Sequence, residues 1–457
     1  MYRYQPEDTI AALATANGIA AIGVIRVSGP QAFPILDRIF EGKKPGEQAS
    51  HTVHFGRIRD GEKELDEVVL TLFKGKRSYA GQDTIEISCH GSPYIQERIL
   101  ELLIKEGCRL ASPGEFTLRA FLNGKMDLSQ AEAVADMIAA DSEGALKTAL
   151  YQMKGGFGKE ISALRAELID FASLIELELD FSEEDVEFAD RKQLVVLIEK
   201  ILTATNRLIA SFRYGNVLKN GYATVIAGKP NAGKSTLLNA LLNEERAIVS
   251  DIAGTTRDTV EEAIQLNGVL FRFIDTAGLR HDADSEIEKI GIGRALEKIR
   301  SSAVLIYLFD AAGENIESVE KEIALMDLGE THLLLVANKV DQASETQKAA
   351  LAKRQDILHI SAKEKEIGPL LAALDALAKE ANLGSSGSTV SNVRHLEALT
   401  ETKKALEAAE AGISNRLSSD LLAEDIRRAI HHLGDITGEI TPDDLLGNIF
   451  GKFCIGK

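Results

Sequence analysis

Across residues 1–122, apolar and polar positions alternate in short runs broken by turns. GIAAIGVIRVSG (18–29), RIRDGEKELDEVVLTLF (57–73) and DTIEISC (83–89) carry this period of two and predict half-buried strands, with Asp60-Gly61 marking a turn. YIQERILELLIKEG (94–107) shifts to the helical period. From about 125 to Tyr214 that period dominates, in KEISALRAELIDFASLIELELDF and RKQLVVLIEKILTATNRLIASF, and Ser129 with Glu132 has capping-box spacing ahead of it. From Gly221 the pattern changes again. YATVIAG, VLFRFID, AVLIYLFD, THLLLVAN and DILHIS are continuous apolar runs with helical patterns between most of them, which predicts a parallel sheet with crossover helices. LGSSGSTVS (383–391) has linker composition, and VRHLEALTETKKALEAAEAG and DLLAEDIRRAIHHLGDIT are helical again. Helical segments on both sides of the α/β block suggest that the block is inserted into one helical domain. The boundaries fall at 1–122, 123–219, 220–382 and 383–457.

A length of 457 residues suits about three domains. The 52 Lys and Arg against 70 Asp and Glu give a net charge of −18, which argues against gripping nucleic acid by bulk charge; such a substrate needs a local basic patch or a more basic partner. Cys89, Cys108 and Cys454 are too few and scattered for a disulfide framework or a four-ligand zinc site. The opening MYRYQPEDT does not read as a signal peptide, and no apolar run reaches membrane-spanning length, so a cytoplasmic protein is expected. The acidic ELELDFSEEDVEF (176–188) reads as a solvated helix end, because no His or Cys joins it.

GKPNAGKS (228–235) lies between a strand and a helical run, the context a P-loop requires. Its glycines let backbone N–H groups of Asn231, Ala232, Gly233 and their neighbours wrap phosphates. Lys234 reaches the β and γ phosphates, Ser235 ligates Mg²⁺, and Thr236 follows. DTAG (Asp275, Thr276, Ala277, Gly278) closes the next apolar run, with Asp275 on the metal's water shell and Gly278 N–H sensing the γ phosphate. In NKVD, behind Asn338 and Lys339, the Asp341 carboxylate can accept two bonds from guanine but not from adenine. SAK (Ser361, Ala362, Lys363) backs the base. Four motifs in this order predict a GTPase. After DTAG, where Ras-like GTPases orient water with Gln, stands Leu279. Another group must do that work, or the chain binds GTP and barely hydrolyses it. Asn231 in the P-loop can bind a monovalent cation, SDIAGTTRD (250–258) offers further oxygens, and Thr256 is the switch threonine on Mg²⁺.

GKPNAGKST, DIAGTTRD, DTAGLR, the closing FCIGK and PGEFTLRAFLNGKMDLSQAEAVADMI (113–138) together resemble the MnmE (TrmE) family of bacterial tRNA uridine-modifying GTPases, over essentially the whole chain. The resemblance implies a multidomain α/β plus α fold: an N-terminal α+β folate-binding and dimerising domain, a helical bundle domain, and a Ras-like P-loop G domain inserted into it, with a doubly wound, mostly parallel sheet. It implies K⁺ on Asn231, Ser250, Ile252 and Thr255, the middle two through backbone oxygens, and a water-positioning Glu288 in EIEKIG. Ser250 stands where a relative has Thr. G domains meeting across a homodimer then explain how Leu279 is tolerated. It further implies folate contacts at Arg26, Glu86, Lys125 and Lys457, for a tetrahydrofolate derivative in 5-formyl or methylene form, although SCHGS carries Ser92 where the family has Gly. The family works with the FAD-containing MnmG (GidA) subunit in a heterotetramer-type complex. Together they modify C5 of the wobble uridine of certain tRNAs, using a folate one-carbon unit.

Cys454 stands fourth from the end, as a prenylated cysteine would, but Ile455-Gly456-Lys457 fits such a box poorly. The resemblance favours a tail reaching toward the folate site with Cys454 as a functional thiol; Cys89 and Cys108 read as buried structural thiols. An RNA-binding or ribosome-assembly GTPase is suggested by G-x-x-G at Gly155–Gly158, but KGGFGK has helical flanks and reads as a helix break, and there is one P-loop. A membrane-remodelling GTPase lacks a lipid-inserting segment.

Overall fold

The computed structural model describes residues 7–180, 191–243, 248–249, 262–274, 299–300, 302–326, 328–384, 388–415, 417–440 and 443–456. The chain forms two compact units. One comprises 1–138, 151–202 and 401–457; the other comprises 139–150 and 203–400.

The first unit is built on a seven-stranded sheet: β1 (Ile10–Leu13), β2 (Ile22–Ser28), β3 (Phe40–Glu41), β4 (Thr52–Asp60), β5 (Lys63–Phe73), β6 (Thr84–His90) and β7 (Arg109–Leu110), in the order β3-β4-β5-β6-β2-β1-β7. Every pairing is antiparallel except β1 with β7. The period-two reading predicts its faces. Ile25, Val27, Val68, Leu70, Leu72, Ile85 and Ile87 point into one core, covered by α1 (Ala32–Ile39) and α2 (Pro93–Lys105). The alternate residues of the same strands leave Arg26 opposite Glu86 on the other face. β4 and β5 turn at Gly61-Glu62, as the Asp60-Gly61 signal suggests, with Gly61 at φ +62°.

Helices α3 (Glu115–Leu122), α4 (Leu128–Ala139), α5 (Glu143–Met153), α6 (Gly156–Asp180) and α7 (Arg191–Asn220) follow. The helical texture thus begins at Glu115, ten residues before the sequence pattern suggests. The capping box ahead of α4 is not Ser129/Glu132. Asp127 Oδ1 accepts from Gln130 N at 2.8 Å, and Gln130 Oε1 accepts from Asp127 N at 3.0 Å, so the reciprocal pair sits two residues earlier. KGGFGK is a helix break, with Gly155 between α5 and α6.

In the second unit, β8 (Tyr222–Ala227), β9 (Ile248–Val249), β10 (Glu262–Leu266), β11 (Val269–Phe273), β12 (Val304–Asp310), β13 (His332–Asn338) and β14 (Ile357–His359) run in the order β14-β13-β12-β8-β11-β10-β9. Five strands are parallel, as expected for continuous apolar runs buried on both faces: Ile306 and Leu308 face one core, Tyr307 and Phe309 the other. β10 and β9 are antiparallel. The apolar pattern of β10 (EAIQL) is weak, but its turn to β11 carries a sequence signal. Asn267 (φ +47°) and Gly268 (φ +77°) form the two-residue hairpin to β11, and Asn-Gly favours that turn. The helices of this unit include α8 (Lys234–Leu242), α9 (Ile316–Ala324), α10 (Glu345–Leu351) and α11 (Gly368–Gly384). The 383–391 stretch is a linker only in part. Thr389, Val390 and Ser391 are buried, and Val390 N donates to Ser211 Oγ at 3.1 Å, because small residues allow close approach to α7.

α12 (Val393–Ser414), α13 (Ser419–Thr437) and α14 (Asp443–Phe450) complete the chain. In the first unit α13 lies against α6, joined by Arg427–Glu176 at 3.0 Å, so helices from before and after the α/β block meet. Of the acidic 176–188 stretch, Glu176 and Glu178 are ion-paired at the end of α6, and 181–188 lie outside the described residues. No helix among the described residues is long and apolar enough to cross a membrane, and no metal-binding cluster of His, Cys, Asp or Glu occurs among them.

Candidate nucleotide and folate sites

β8 ends at Ala227, and the loop 228–233 carries the chain into α8. Gly228 has φ +145°, and a Cβ there would lie 2.0 Å from Leu308 O of the neighbouring strand, so only glycine permits this exit from the sheet. Asn231 stands exposed at φ +65°. Lys234 Nζ donates to Gly228 O at 3.0 Å and Lys229 O at 2.9 Å, which keeps its ammonium within the loop.

The strand ends bring the other motifs to this loop. Buried Asn338 donates from Nδ2 to Ala232 O at 2.8 Å and accepts at Oδ1 from Ala362 N at 3.0 Å. One amide therefore ties the P-loop, NKVD and SAK together. Ser361 Oγ donates to Asp341 Oδ1 at 2.7 Å; this bond leads the causes that lower the Asp341 pKa. Lys339 Nζ meets Asp310 Oδ2 at 2.7 Å. Burial pushes the Asp310 carboxyl up, but Lys339 and backbone N–H groups outweigh it and the net shift is downward.

In the first unit, Arg26 Nε and Nη2 both donate to Glu86 Oε1, at 3.0 and 2.8 Å, and Nη1 donates to Gly456 O at 3.2 Å. The guanidinium lies over the Tyr79 and Phe116 rings, at 5.4 and 5.5 Å from their centroids. The closing tail is therefore docked here. Gly114 N donates to Cys454 O at 3.3 Å, Phe450 is buried, and Phe453 packs on it with centroids 5.2 Å apart. Cys454 is exposed, whereas Cys89 and Cys108 are buried and desolvation pushes their thiols up to about 11 and about 12. Lys125 Nζ donates to Lys76 O at 2.7 Å.

The PGEF segment that receives the tail rests on a buried charge cluster the sequence did not reveal. Glu115 Oε1 accepts from Arg109 Nη2 at 2.7 Å and Arg119 Nη2 at 2.9 Å; Glu115 Oε2 accepts from Ser112 N at 2.9 Å. Burial raises the Glu115 pKa, but these donors reverse the shift and hold the carboxylate ionised.

Family models match the chain in two parts: the GTP-binding protein TrmE N-terminus over residues 9–125, and the MnmE helical domain over residues 128–454. A tRNA modification GTPase MnmE of Cytophaga hutchinsonii is 52% identical over 451 residues, 98% of either chain, and one of Flavobacterium psychrophilum is 51% identical over 459 residues, 98% of this chain and 99% of that one. The chain belongs to the MnmE family. The G domain of the T. maritima FeoB iron transporter also matches 35% of this chain and 98% of that structure, at 23% identity and a TM-score of 0.25, too slight a likeness to add anything.

In this MnmE-family chain the expected site residues divide cleanly. Asn231, Ala232, Gly233, Lys234, Ser235, Thr236, Asn338, Lys339, Asp341, Ser361, Ala362 and Lys363 lie at the C-terminal ends of β8, β13 and β14, where doubly wound sheets bind ligands. Arg26 and Glu86 touch one another, and Lys125 follows α3 in the same unit. Ser250, Ile252, Thr255, Thr256, Asp275, Thr276, Ala277, Gly278, Leu279, Glu288 and Lys457 lie outside the described residues.

Proposed function

We propose that this chain is a GTP hydrolase acting in tRNA modification, the activity in the printed names of its relatives. The observation that carries the GTPase reading is the Asn338 amide, bonded at once to the P-loop and to SAK. It fixes the phosphate-binding and base-reading segments at one distance, as a nucleotide of fixed length requires. Asp341, held by Ser361, reads the guanine edge, and Lys234 with the loop N–H groups takes the phosphates. Ser235, at the start of α8, is the described candidate for Mg²⁺; Thr256 and Asp275 complete that set.

Asn231 fits a monovalent cation, because its residue is exposed at the loop apex and an amide oxygen is the right hard donor. Ser250, Ile252 and Thr255 would supply the other oxygens, and Glu288 would position water in place of Leu279. A K⁺ ion held there supplies the positive charge that an arginine finger supplies elsewhere. Dimerising G domains would bring these residues to the nucleotide.

The Arg26–Glu86 site suits a tetrahydrofolate derivative. Both of the Arg26 bonds to Glu86 fall on Oε1, so Oε2 remains for the amidine-like edge of a pterin, while Lys125 and Lys457 suit its anionic tail. Gly456 O on Arg26 brings the tail carrying Cys454 to the same site, and we assign that thiol to the uridine modification. A homodimer working with the FAD-containing MnmG subunit, in a heterotetramer-type complex that holds most of the tRNA, accords with the net charge of −18.

The test is GTP turnover in KCl and NaCl at equal ionic strength, with Asn231→Ala and Glu288→Ala alongside. K⁺ stimulation of wild type, lost in both variants, is expected. Equal rates in the two salts would remove the cation from the mechanism and favour an assembly switch. Titration with 5-formyltetrahydrofolate tests the second site, since neither rival predicts binding.

A further inference from the structure

The second residue of the P-loop points into a second ionic circuit. Lys229 Nζ lies 2.6 Å from Glu322 Oε1 on α9 and 3.0 Å from Glu314 Oε2 in the loop before it. Neither acid is idle. Glu322 Oε2 accepts from Tyr307 OH on β12 at 2.7 Å, and Glu314 Oε1 accepts from Asp310 N at 3.1 Å. Asp310 in turn holds Lys339 Nζ, and Ala311 N donates to Asn338 O at 2.9 Å. Asn338 closes the circuit on Ala232 O. Two points of the P-loop are thus fastened: residue 232 to the 310–314 turn through Asn338, and residue 229 to that turn through Glu314 and to α9 through Glu322.

We infer that Lys229 is a positioning residue, which sets the shape of the phosphate loop before nucleotide arrives and couples it to the base-reading segment through Glu314 and Asp310. Lys229 and Lys234 fasten the loop to different partners. Lys234 bonds the loop's own carbonyls, while Lys229 bonds acids on α9 and the preceding turn. Without the anchor, the loop has more conformations to lose on binding, so nucleotide affinity falls while turnover of bound nucleotide changes little. The surface exposure of the pair limits its effect on folding. The inference rests on the GTP-binding reading above.

The experiment uses the full chain, with a fluorescent GDP for affinity and GTP turnover for KM and kcat. Lys229→Met should weaken GDP binding and raise KM about five-fold, with kcat and the melting midpoint near wild type, and Lys229→Arg should restore affinity. The pair Glu314→Gln plus Glu322→Gln should give a similar loss. Combined with Lys229→Met, it should add little, whereas independent effects would multiply to about twenty-five-fold. Multiplicative losses, a lowered melting midpoint with unchanged affinity, or no change in Lys229→Met would each overturn the inference. Absence of GDP binding by the wild type would instead defeat the GTP-binding reading itself.

Discussion

At the scale of the residue, the proposed guanine reader Asp341 illustrates how a neighbour sets a working pH. The residue is solvent-exposed, so its lowered pKa owes most to the Ser361 hydroxyl 2.7 Å away. The folded state favours the charged form. That contribution is present above the ordinary carboxylate pKa and is lost as pH falls through the lowered value. Guanine recognition needs the same ionised carboxylate. Ser361→Ala removes the donor, so Asp341 should protonate at higher pH, and the acid limb of GTP affinity should shift upward. Binding titrations from pH 7 to 4 check this; coincident limbs for wild type and variant would show that the bond does not govern recognition.

At the scale of the element, Gly228 decides whether β8 can leave the sheet as a phosphate loop. Gly228→Ala places a methyl against Leu308 O and forces φ +145° on a residue with a side chain, costing about 1–3 kcal/mol for the backbone alone. A lowered melting midpoint with GTP binding lost is expected; a melt and affinity matching wild type would show that β8 and β12 part easily. Such features differ in how far the sequence reveals them. The P-loop is local in sequence and so is legible there, whereas Arg26 and Glu86 lie in two separate strands and come together as a candidate site only through the family resemblance. Cap chemistry alone points equally to Asp127 and Ser129, and the Gln130 side chain decides for Asp127. Lys229 with Glu322, and Arg109 with Glu115 and Arg119, escape because their meaning comes from which elements meet: the loop after β8 with α9, β7 with α3. Composition makes them look like surface charges.

At the scale of the whole molecule, the first unit joins the two ends of the chain. Arg26 bonds Gly456 O across 430 positions, and Gly114 N bonds Cys454 O. A tail of this kind is held at few points, so its seat should be sensitive to each. Phe450 is fully buried against Leu118, Leu128 and Ala131, and Phe→Ala at such a site costs about 3–5 kcal/mol. Much of that loss should appear locally, as release of the tail, because α14 is a short terminal helix that contacts α3. The three cysteines supply the probe. Cys89 and Cys108 are buried with raised pKa values, so a thiol-reactive nitroxide should attach only to Cys454 in the native protein. The wild-type spectrum should show a restricted label. In Phe450→Ala, and in Gly114→Ala, where a Cβ would sit 2.6 Å from Phe450 O at φ +67°, the mobile component should grow. Equal mobility in all three would mean that the tail does not depend on this seat and that Cys454 is held near Arg26 by other contacts.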